Sequence, residues 1–341
     1  MSSLLLRPFS VLYGIGTDLR NYRYNNSVKL AYHPNQFTIG VGNLTVGGTG
    51  KTPMVEYILR WLLSRTPAGL ATLSRGYGRR TRGFRLATPT DTADTLGDEP
   101  LQLYRKFGPN VTVCVGEKRA DALVRLAQER PDIHTVVLDD AFQHRAVQPH
   151  RNILLMDYNR PFYTDHPFPA GRLRERRHGA RRADLIVVTK CPLTLSLAAR
   201  ENITAWIRPY TRPETPVFFA GLAYGEPVCY ADNQPTPLLP AVVLATGIAQ
   251  AGPLEQYVRD QFGLVRHLRF GDHHAYTPAD WTRIRQAAPP GTPVLTTEKD
   301  WVKLAPLLTP DERAATYYLP VELRFLDGAD RFAEYLTVKN S

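Results

Sequence analysis

Short apolar runs rich in β-branched residues alternate along this chain with stretches whose apolar residues recur every three or four positions. Each change of period falls at glycine, proline or polar turn residues. The runs at 37–41, 70–74, 111–115, 135–138, 153–157 and 185–190 read as buried strands. Residues 54–65 and 119–130 carry the helical spacing, the first ended by Thr66-Pro67-Ala68-Gly69. Residues 88–96 are polar and read as a loop that delivers Gly97-Asp98-Glu99-Pro100 to the start of another helix. Strands and helices alternating at this spacing predict an α/β fold, a parallel sheet with helices on both faces. From 223 to 240 the chain turns rich in proline and polar residues, a hairpin or linker. Beyond it the alternation restarts, with strands at 241–245, 265–270 and 294–297 and helices at 253–262 and 278–287. The expected division is therefore an N-terminal segment 1–28, a first α/β domain 29–222, a linker 223–240 and a smaller α/β domain 241–341.

Within the segment 1–28, residues 2–16 are apolar, but Arg7 and Pro8 interrupt the run and it is too short to span a bilayer. It has no small-residue cleavage site of the secretory kind. Arg20, Tyr22, Arg23, Tyr24 and Lys29 follow, so it can lie as a helix in a membrane interface with its cations toward anionic headgroups. Packing on the protein's own core is the other role open to it.

The strand at 37–41 runs into Gly42-Asn43-Leu44-Thr45-Val46-Gly47-Gly48-Thr49-Gly50-Lys51-Thr52-Pro53. Glycines there let successive N–H groups converge on an anion, and the following helix adds its N-terminal dipole. Gly47, Gly48, Thr49, Gly50, Lys51 and Thr52 are thus the expected phosphate cradle, with Lys51 reaching the β- and γ-phosphates and Thr52 ligating Mg²⁺. The strict P-loop pattern is missed only where Thr45 stands in place of its first glycine. The acidic pair Asp139-Asp140 ends a strand at the sheet edge where α/β proteins bind ligands, which suits a metal ligand as well as a helix cap. Asp98-Glu99 can serve the dipole of the helix they open, but a kinase also needs a carboxylate near its acceptor hydroxyl. The adjacent His273 and His274 make a poor zinc site, because neighbouring residues of extended chain point to opposite faces. A histidine that orients an aspartate base is the more useful reading.

A net charge of +10, mostly from arginine, favours an anionic partner. The arginine-rich loop at 169–182 can bind phosphate bidentately; no recognition helix or RNP pattern supports nucleic acid as the partner. Guanine recognition needs an aspartate two residues after Lys190, where Pro192 stands, so ATP is favoured over GTP. The 341 residues hold three widely spaced cysteines, Cys114, Cys191 and Cys229, which support neither a disulfide framework nor a zinc ribbon. A membrane-bound nucleotide switch and a nucleic-acid-dependent ATPase are the rival classes. A switch would leave Asp98 and His273 without work.

The motifs resemble, in order and over most of the chain, the tetraacyldisaccharide 4′-kinase family, the lipid A 4′-kinases of Gram-negative bacteria. They are the P-loop at 41–53, Ser74-Arg75-Gly76-Tyr77-Gly78, Gly97-Asp98-Glu99-Pro100 and Asp139-Asp140-Ala141-Phe142-Gln143-His144-Arg145. Pro169-Ala170-Gly171-Arg172-Leu173-Arg174-Glu175, Asp272-His273-His274 and Thr296-Thr297-Glu298-Lys299-Asp300 complete the set. Ala141 departs from the glycine usual in the family. The resemblance implies a P-loop NTPase-type sheet with a smaller C-terminal α/β domain and an N-terminal membrane-interface helix. It also implies an enzyme that moves the γ-phosphoryl of ATP to the 4′-hydroxyl of a lipid A disaccharide 1-phosphate, peripherally bound to the cytoplasmic face of the inner membrane. By position Asp98 and His273 resemble the family's catalytic pair, with Lys51 on the phosphates and Thr52, Asp139, Asp140 and Glu99 as candidates for Mg²⁺. Arg75, Arg172 and Arg174 are assigned to the substrate's 1-phosphate, and a monomer is expected. Because Asp98 falls in the first unit and His273 in the second, closure of the two is expected to assemble the pair.

Overall fold

Every residue of Phe37–Asn43 (β1) is buried, as a strand that runs as FTIGVGN and has sheet on both sides requires. The structure is a computed structural model that describes residues 6–65, 68–236 and 239–337. The first five residues of the apolar N-terminal segment, Thr66 and Pro67 of the expected helix stop, and 237–238 of the expected linker lie outside the described residues. The strands are β2 (Leu70–Ser74), β3 (Arg85–Leu86), β4 (Thr112–Val115), β5 (Thr135–Asp139), β6 (Arg151–Asp157), β7 (Leu185–Thr189) and β8 (Val217–Tyr224). They continue as β9 (Val228–Cys229), β10 (Ala241–Thr246), β11 (Gly263–Arg269), β12 (Val294–Thr297), β13 (Thr316–Leu319) and β14 (Val321–Phe325).

A nine-stranded sheet runs β14-β8-β7-β6-β1-β5-β2-β4-β3, parallel throughout except at its two edges, where β14 and β3 are antiparallel. A second sheet, β11-β10-β12-β13-β9, is parallel except for β9. Both match the α/β expectation. In the large sheet β5 and β6 flank β1, which sets Val41 beside Asp139 and Asn43 beside Leu155. The phosphate loop and the acidic pair thereby leave the same sheet edge side by side.

The helix after the loop, Lys51–Leu63, buries Met54, Val55, Ile58, Leu59 and Leu62 at spacings of three and four. Each such side chain stabilises the fold by about 1.5–3 kcal/mol relative to exposure. Residues 88–96, expected as a loop, include one helical turn, Ala93–Leu96, because Thr92 and Thr95 form a reciprocal cap. The unit expected over 241–341 is corrected at its end. Pro320 alone separates β13 of the small sheet from β14, which pairs with β8 of the large one. Leu323, Phe325 and Phe332 then join the large sheet's core. The chain therefore crosses between the sheets twice, at 225–227 and at Pro320, and the Gly225 N–H donates to the Pro320 carbonyl at 2.9 Å to tie the crossings together.

The N-terminal helix, α1 (Arg7–Asn25), inverts the usual pattern. Its buried residues are Ser10, Gly14 and Asn21, while Phe9, Leu12, Ile15, Leu19 and Tyr22 are exposed. A Cβ at Gly14 would lie 2.6 Å from Arg176 Nε, so the helix rests its small polar stripe against the arginine-rich loop.

Candidate active site

Gly47 and Gly50 hold φ of 109° and 78°, backbone that favours glycine, and Gly50 sits immediately before Lys51–Leu63. A Cβ at Gly47 or Gly48 would meet nothing within 4 Å, so that side of the loop is open to a ligand. Behind the loop several side chains tie its backbone. Asn43 Nδ2 donates to Thr49 Oγ1 at 2.7 Å and Thr189 Oγ1 to the Thr49 carbonyl at 2.9 Å. Lys190 donates to the Gly48 carbonyl and, at 2.7 Å, to Asp157 Oδ2. Thr45 forms an antiparallel bridge with Leu173, and the Val46 N–H donates to the Arg172 carbonyl at 2.8 Å. Extended backbone at Thr45 needs no glycine, which explains the one departure from the strict pattern.

Asp140 turns the chain at a φ of 48°. Both its oxygens lie 2.9 Å from Arg174 Nη1, and Lys51 Nζ is 3.6 Å from Oδ1. Burial alone would raise this carboxyl, but the Lys51 and Arg174 charges hold it below the usual carboxylate range. Asp139 is the opposite case. Its Oδ1 is buried with no hydrogen-bond partner among the described residues. Burial, then the nearby Glu99 charge, push it up to about 7. Beneath the pair lies Arg119, 2% exposed, whose guanidinium donates to the carbonyls of Gly116 and, at 3.1 Å, Asp139. Burial lowers Arg119 to about 10, and burial with the Arg119 charge lowers His144 to about 4. The sequence reading missed Arg119; the only signal was an arginine at the first position of an amphipathic helix following a buried strand.

Helix α2 (Asp98–Phe107) presents Asp98 and Glu99 in its first turn. Asp98 Oδ2 lies 3.2 Å from His273 Nδ1 and 3.3 Å from Lys303 Nζ. Burial would raise Asp98, but the His273 hydrogen bond and then Lys303 hold it below the usual range. Closure was expected to bring this pair together; the structure already has it in contact. Packing does so. Helix α3 (Glu298–Leu304) lies against α2, and Lys106 Nζ sits 2.6 Å from both Glu56 and Glu298. The same short helix carries Lys299, 2.9 Å from His273 Nε2 and 3.9 Å from Glu99. It is held at its start by Thr297, which donates to Asp300 Oδ2 at 2.7 Å, and by the Gly247 N–H, which donates to the same oxygen at 2.9 Å.

The three arginines assigned to the substrate divide. Arg75 and Arg172 are exposed on loops at this edge, whereas Arg174 is engaged with Asp140. Further along the same loop Arg182 is paired with buried Glu175 at 2.7 Å. No three carboxylate, imidazole or thiolate groups among the described residues converge on a ready-made metal site. That does not conflict with a Mg²⁺ role, since this ion is usually held by one or two protein oxygens plus phosphates and water. The unpartnered Oδ1 of Asp139 fits such a ligand.

Over residues 2–340 the chain matches the family described as tetraacyldisaccharide-1-P 4′-kinase. It is 41% identical over 324 residues to a tetraacyldisaccharide 4′-kinase of Cytophaga hutchinsonii, covering 94% of this chain and 91% of that one. A tetraacyldisaccharide 4′-kinase of Parabacteroides distasonis is 40% identical over 354 residues, covering 98% and 94%. The fold is similar to that of LpxK from Aquifex aeolicus, solved in complex with ATP, with a TM-score of 0.79 at 24% identity over 98% of each chain.

Proposed function

Because this chain belongs to the tetraacyldisaccharide-1-P 4′-kinase family, we infer that Lys51, Asp98 and His273 carry its phosphoryl transfer. It is an ATP-dependent kinase of lipid A biosynthesis, and its acceptor is the 4′-hydroxyl of a tetraacylated glucosamine disaccharide 1-phosphate. The observation that most supports the residue roles is the Asp98–His273 contact of 3.2 Å, made by two distant segments at the sheet edge that carries the phosphate loop. A structural helix cap would not need a histidine from another unit.

The loop N–H groups of 47–52 and the Lys51 ammonium hold the β- and γ-phosphates. Thr52 and Asp139 would hold Mg²⁺, with Glu99 and Asp140 as further candidates, and the ion when bound supplies positive charge to the phosphate oxygens. Asp98 takes the proton of the 4′-hydroxyl as its oxygen bonds to the γ-phosphorus and the bond from that phosphorus to the β–γ bridging oxygen breaks. ADP leaves, and the proton passes from Asp98 to solvent. His273 holds the Asp98 carboxylate in place. Exposed Arg75 and Arg172 would meet the 1-phosphate; Arg174 would reach it only by leaving Asp140. The enzyme would act as a monomer, since one chain supplies both members of the pair.

No helix among the described residues is long and apolar enough to cross a membrane. We place the protein on the cytoplasmic face of the inner membrane through α1, whose exposed Phe9, Leu12, Ile15 and Leu19 suit an acyl boundary. The test of function is an assay with γ-labelled ATP and the disaccharide 1-phosphate in detergent micelles. Label should appear in the glycolipid; ATP consumed without it would refute the acceptor.

A further inference from the structure

The lysine of Thr296-Thr297-Glu298-Lys299-Asp300 has no part in the reaction derived so far, yet its ammonium faces the catalytic histidine. Lys299 Nζ lies 2.9 Å from His273 Nε2, on the far side of the ring from Asp98, which Nδ1 meets at 3.2 Å. An ammonium has protons to give and no lone pair to receive one. The Nε2 that faces it is therefore the acceptor, and the single ring proton sits on Nδ1, where it donates to Asp98 Oδ2. The surroundings hold this order. Asp272 Oδ1 accepts the His273 N–H at 3.1 Å, fixing a residue whose φ is 56°, and lies 3.5 Å from Lys299 Nζ. Tyr77 sets its ring edge-on to the imidazole at 5.6 Å between centroids. Thr297 and Gly247 anchor Asp300, one residue beyond Lys299.

We propose that Lys299 is a positioning residue for phosphoryl transfer: it selects the Nδ1–H tautomer of His273 and thereby aims the ring's one proton at Asp98. The inference rests on the proposed catalytic pair and adds two things to it. Without a donor at Nε2 the ring is free to place its proton there, and Nδ1 would then face the Asp98 carboxylate lone pair to lone pair. With the donor present Nδ1 is already protonated, so the proton taken from the acceptor hydroxyl rests on Asp98 and is not relayed into the ring. His273 orients; it does not carry.

The test pairs kinetics with histidine ¹⁵N NMR on the full chain, His273→Gln identifying the ring signals. His273 should show the Nδ1–H tautomer in the unaltered protein. Lys299→Met should move it toward Nε2–H and lower kcat by about 30-fold or more, with KM for ATP and for the lipid held within about threefold, because the orienting contact acts on the base rather than on binding. Lys299→Gln keeps an N–H donor without the charge and should retain both the tautomer and most of kcat; it carries the test alone should Lys299→Met fail to fold. An Nε2–H tautomer in the unaltered protein overturns the proposal. So does a Lys299→Met enzyme of near-normal kcat, or a folded Lys299→Gln enzyme that keeps the tautomer and loses turnover. A raised Mg²⁺ requirement with the tautomer unchanged would assign Lys299 to Glu99 and overturn it as well. Asp98→Asn separates the two levels. If that variant is active the catalytic pair itself is wrong; if it is inactive and Lys299→Met is not, only the role of Lys299 fails.

Discussion

At the scale of single residues, Asp98 combines three pressures that rarely meet in a structural cap. It opens a helix, it receives His273 at 3.2 Å, and it faces Lys303, whose side chain is 6% exposed, at 3.3 Å. Removing the carboxylate outright would leave buried Lys303 with Asp300, at 3.8 Å, as its one carboxylate partner among the described residues, so an alanine variant would mix lost chemistry with lost stability. Asp98→Asn keeps the shape and a hydrogen-bonding oxygen but cannot take a proton. Its kcat should fall by about a hundredfold or more, while ATP affinity, set by the loop at 47–52, stays within about twofold. Turnover by glycolipid labelling and ATP affinity by calorimetry check the two halves. A normal kcat would remove Asp98 from the mechanism. Asp139 and Asp140 show at the same scale why sequence alone could not rank the acidic pair. Adjacent and alike in one dimension, they differ in three, one carboxylate engaged by Arg174 and Lys51 and the other buried with an unpartnered oxygen.

Elements were legible where a period or a glycine cluster marks them. The strand–loop–helix at 37–63 and the acidic strand end at 135–139 follow from local pattern, because burial on both faces and phosphate-loop geometry each demand particular residue types. β8, β13 and β14 went unread in the sequence, and no local signal says that β13 and β14, parted by a single proline, belong to different sheets. The inversion of α1 was also only half visible, since the small stripe of Ser10, Gly14 and Asn21 becomes meaningful once Glu175 is found under it. Glu175 accepts from Asn21 Nδ2 at 2.8 Å, from Gln143 Nε2 at 3.0 Å and from Arg182 at 2.7 Å. Burial alone would raise its pKa, but Arg182, then Gln143 and Asn21, hold it below the usual glutamate range. A depressed value in the folded state means stability that is present above the unfolded value of about 4.3 and is lost as pH falls through the lower, folded one. The contacts of α1 should therefore loosen in that acid window, seen as faster amide exchange across 10–21, and Glu175→Gln should loosen them already at neutral pH. Exchange in α1 that ignores both changes would show that the helix is held by something else. The outward face of the same helix makes a separate prediction. Leu12→Asp with Leu19→Asp, both at exposed positions, should weaken co-sedimentation with anionic phospholipid vesicles by about tenfold or more and leave ATP binding unchanged. Equal sedimentation would refute α1 as the anchor.

For the whole molecule, the question is what keeps two sheets, joined by two crossings, in the one arrangement that puts His273 on Asp98. Lys106 is the strongest candidate for that brace. Its ammonium sits 2.6 Å from Glu56, five residues past Lys51 on the phosphate-loop helix, and 2.6 Å from Glu298, the first residue of α3. Gln102 adds a hydrogen bond to Glu56 at 2.9 Å. One half-buried cation thus links the helix that follows the phosphates, the helix that carries Asp98 and the helix that carries Lys299 and Lys303. Its partners lie 50 and 192 positions away along the chain, a distance at which no sequence pattern operates. Burial, then the Glu298 charge, already raise Glu56 above the ordinary glutamate range with Lys106 in place. Lys106→Met would leave two carboxylates facing each other, a change expected to cost about 3 kcal/mol because a buried charge loses its partner. The pH dependence follows from the sign. A carboxyl whose folded pKa is raised destabilises the fold while ionised, and that penalty is relieved as pH falls through the folded value. The variant should therefore be weakest in urea at about pH 8 and recover on mild acidification, whereas the unaltered protein gains less from the same change. Lys106→Met with Glu56→Gln should regain most of the lost stability at high pH, since the facing charges are gone. If the units separate when the brace is cut, amide exchange in α3 should rise and kcat should fall even in the stabilised double variant, because Asp98 would lose its histidine without being touched. Normal exchange and normal turnover in that double variant would mean that the two crossings alone hold the geometry, and Lys106 would be a stability residue with no bearing on the pair.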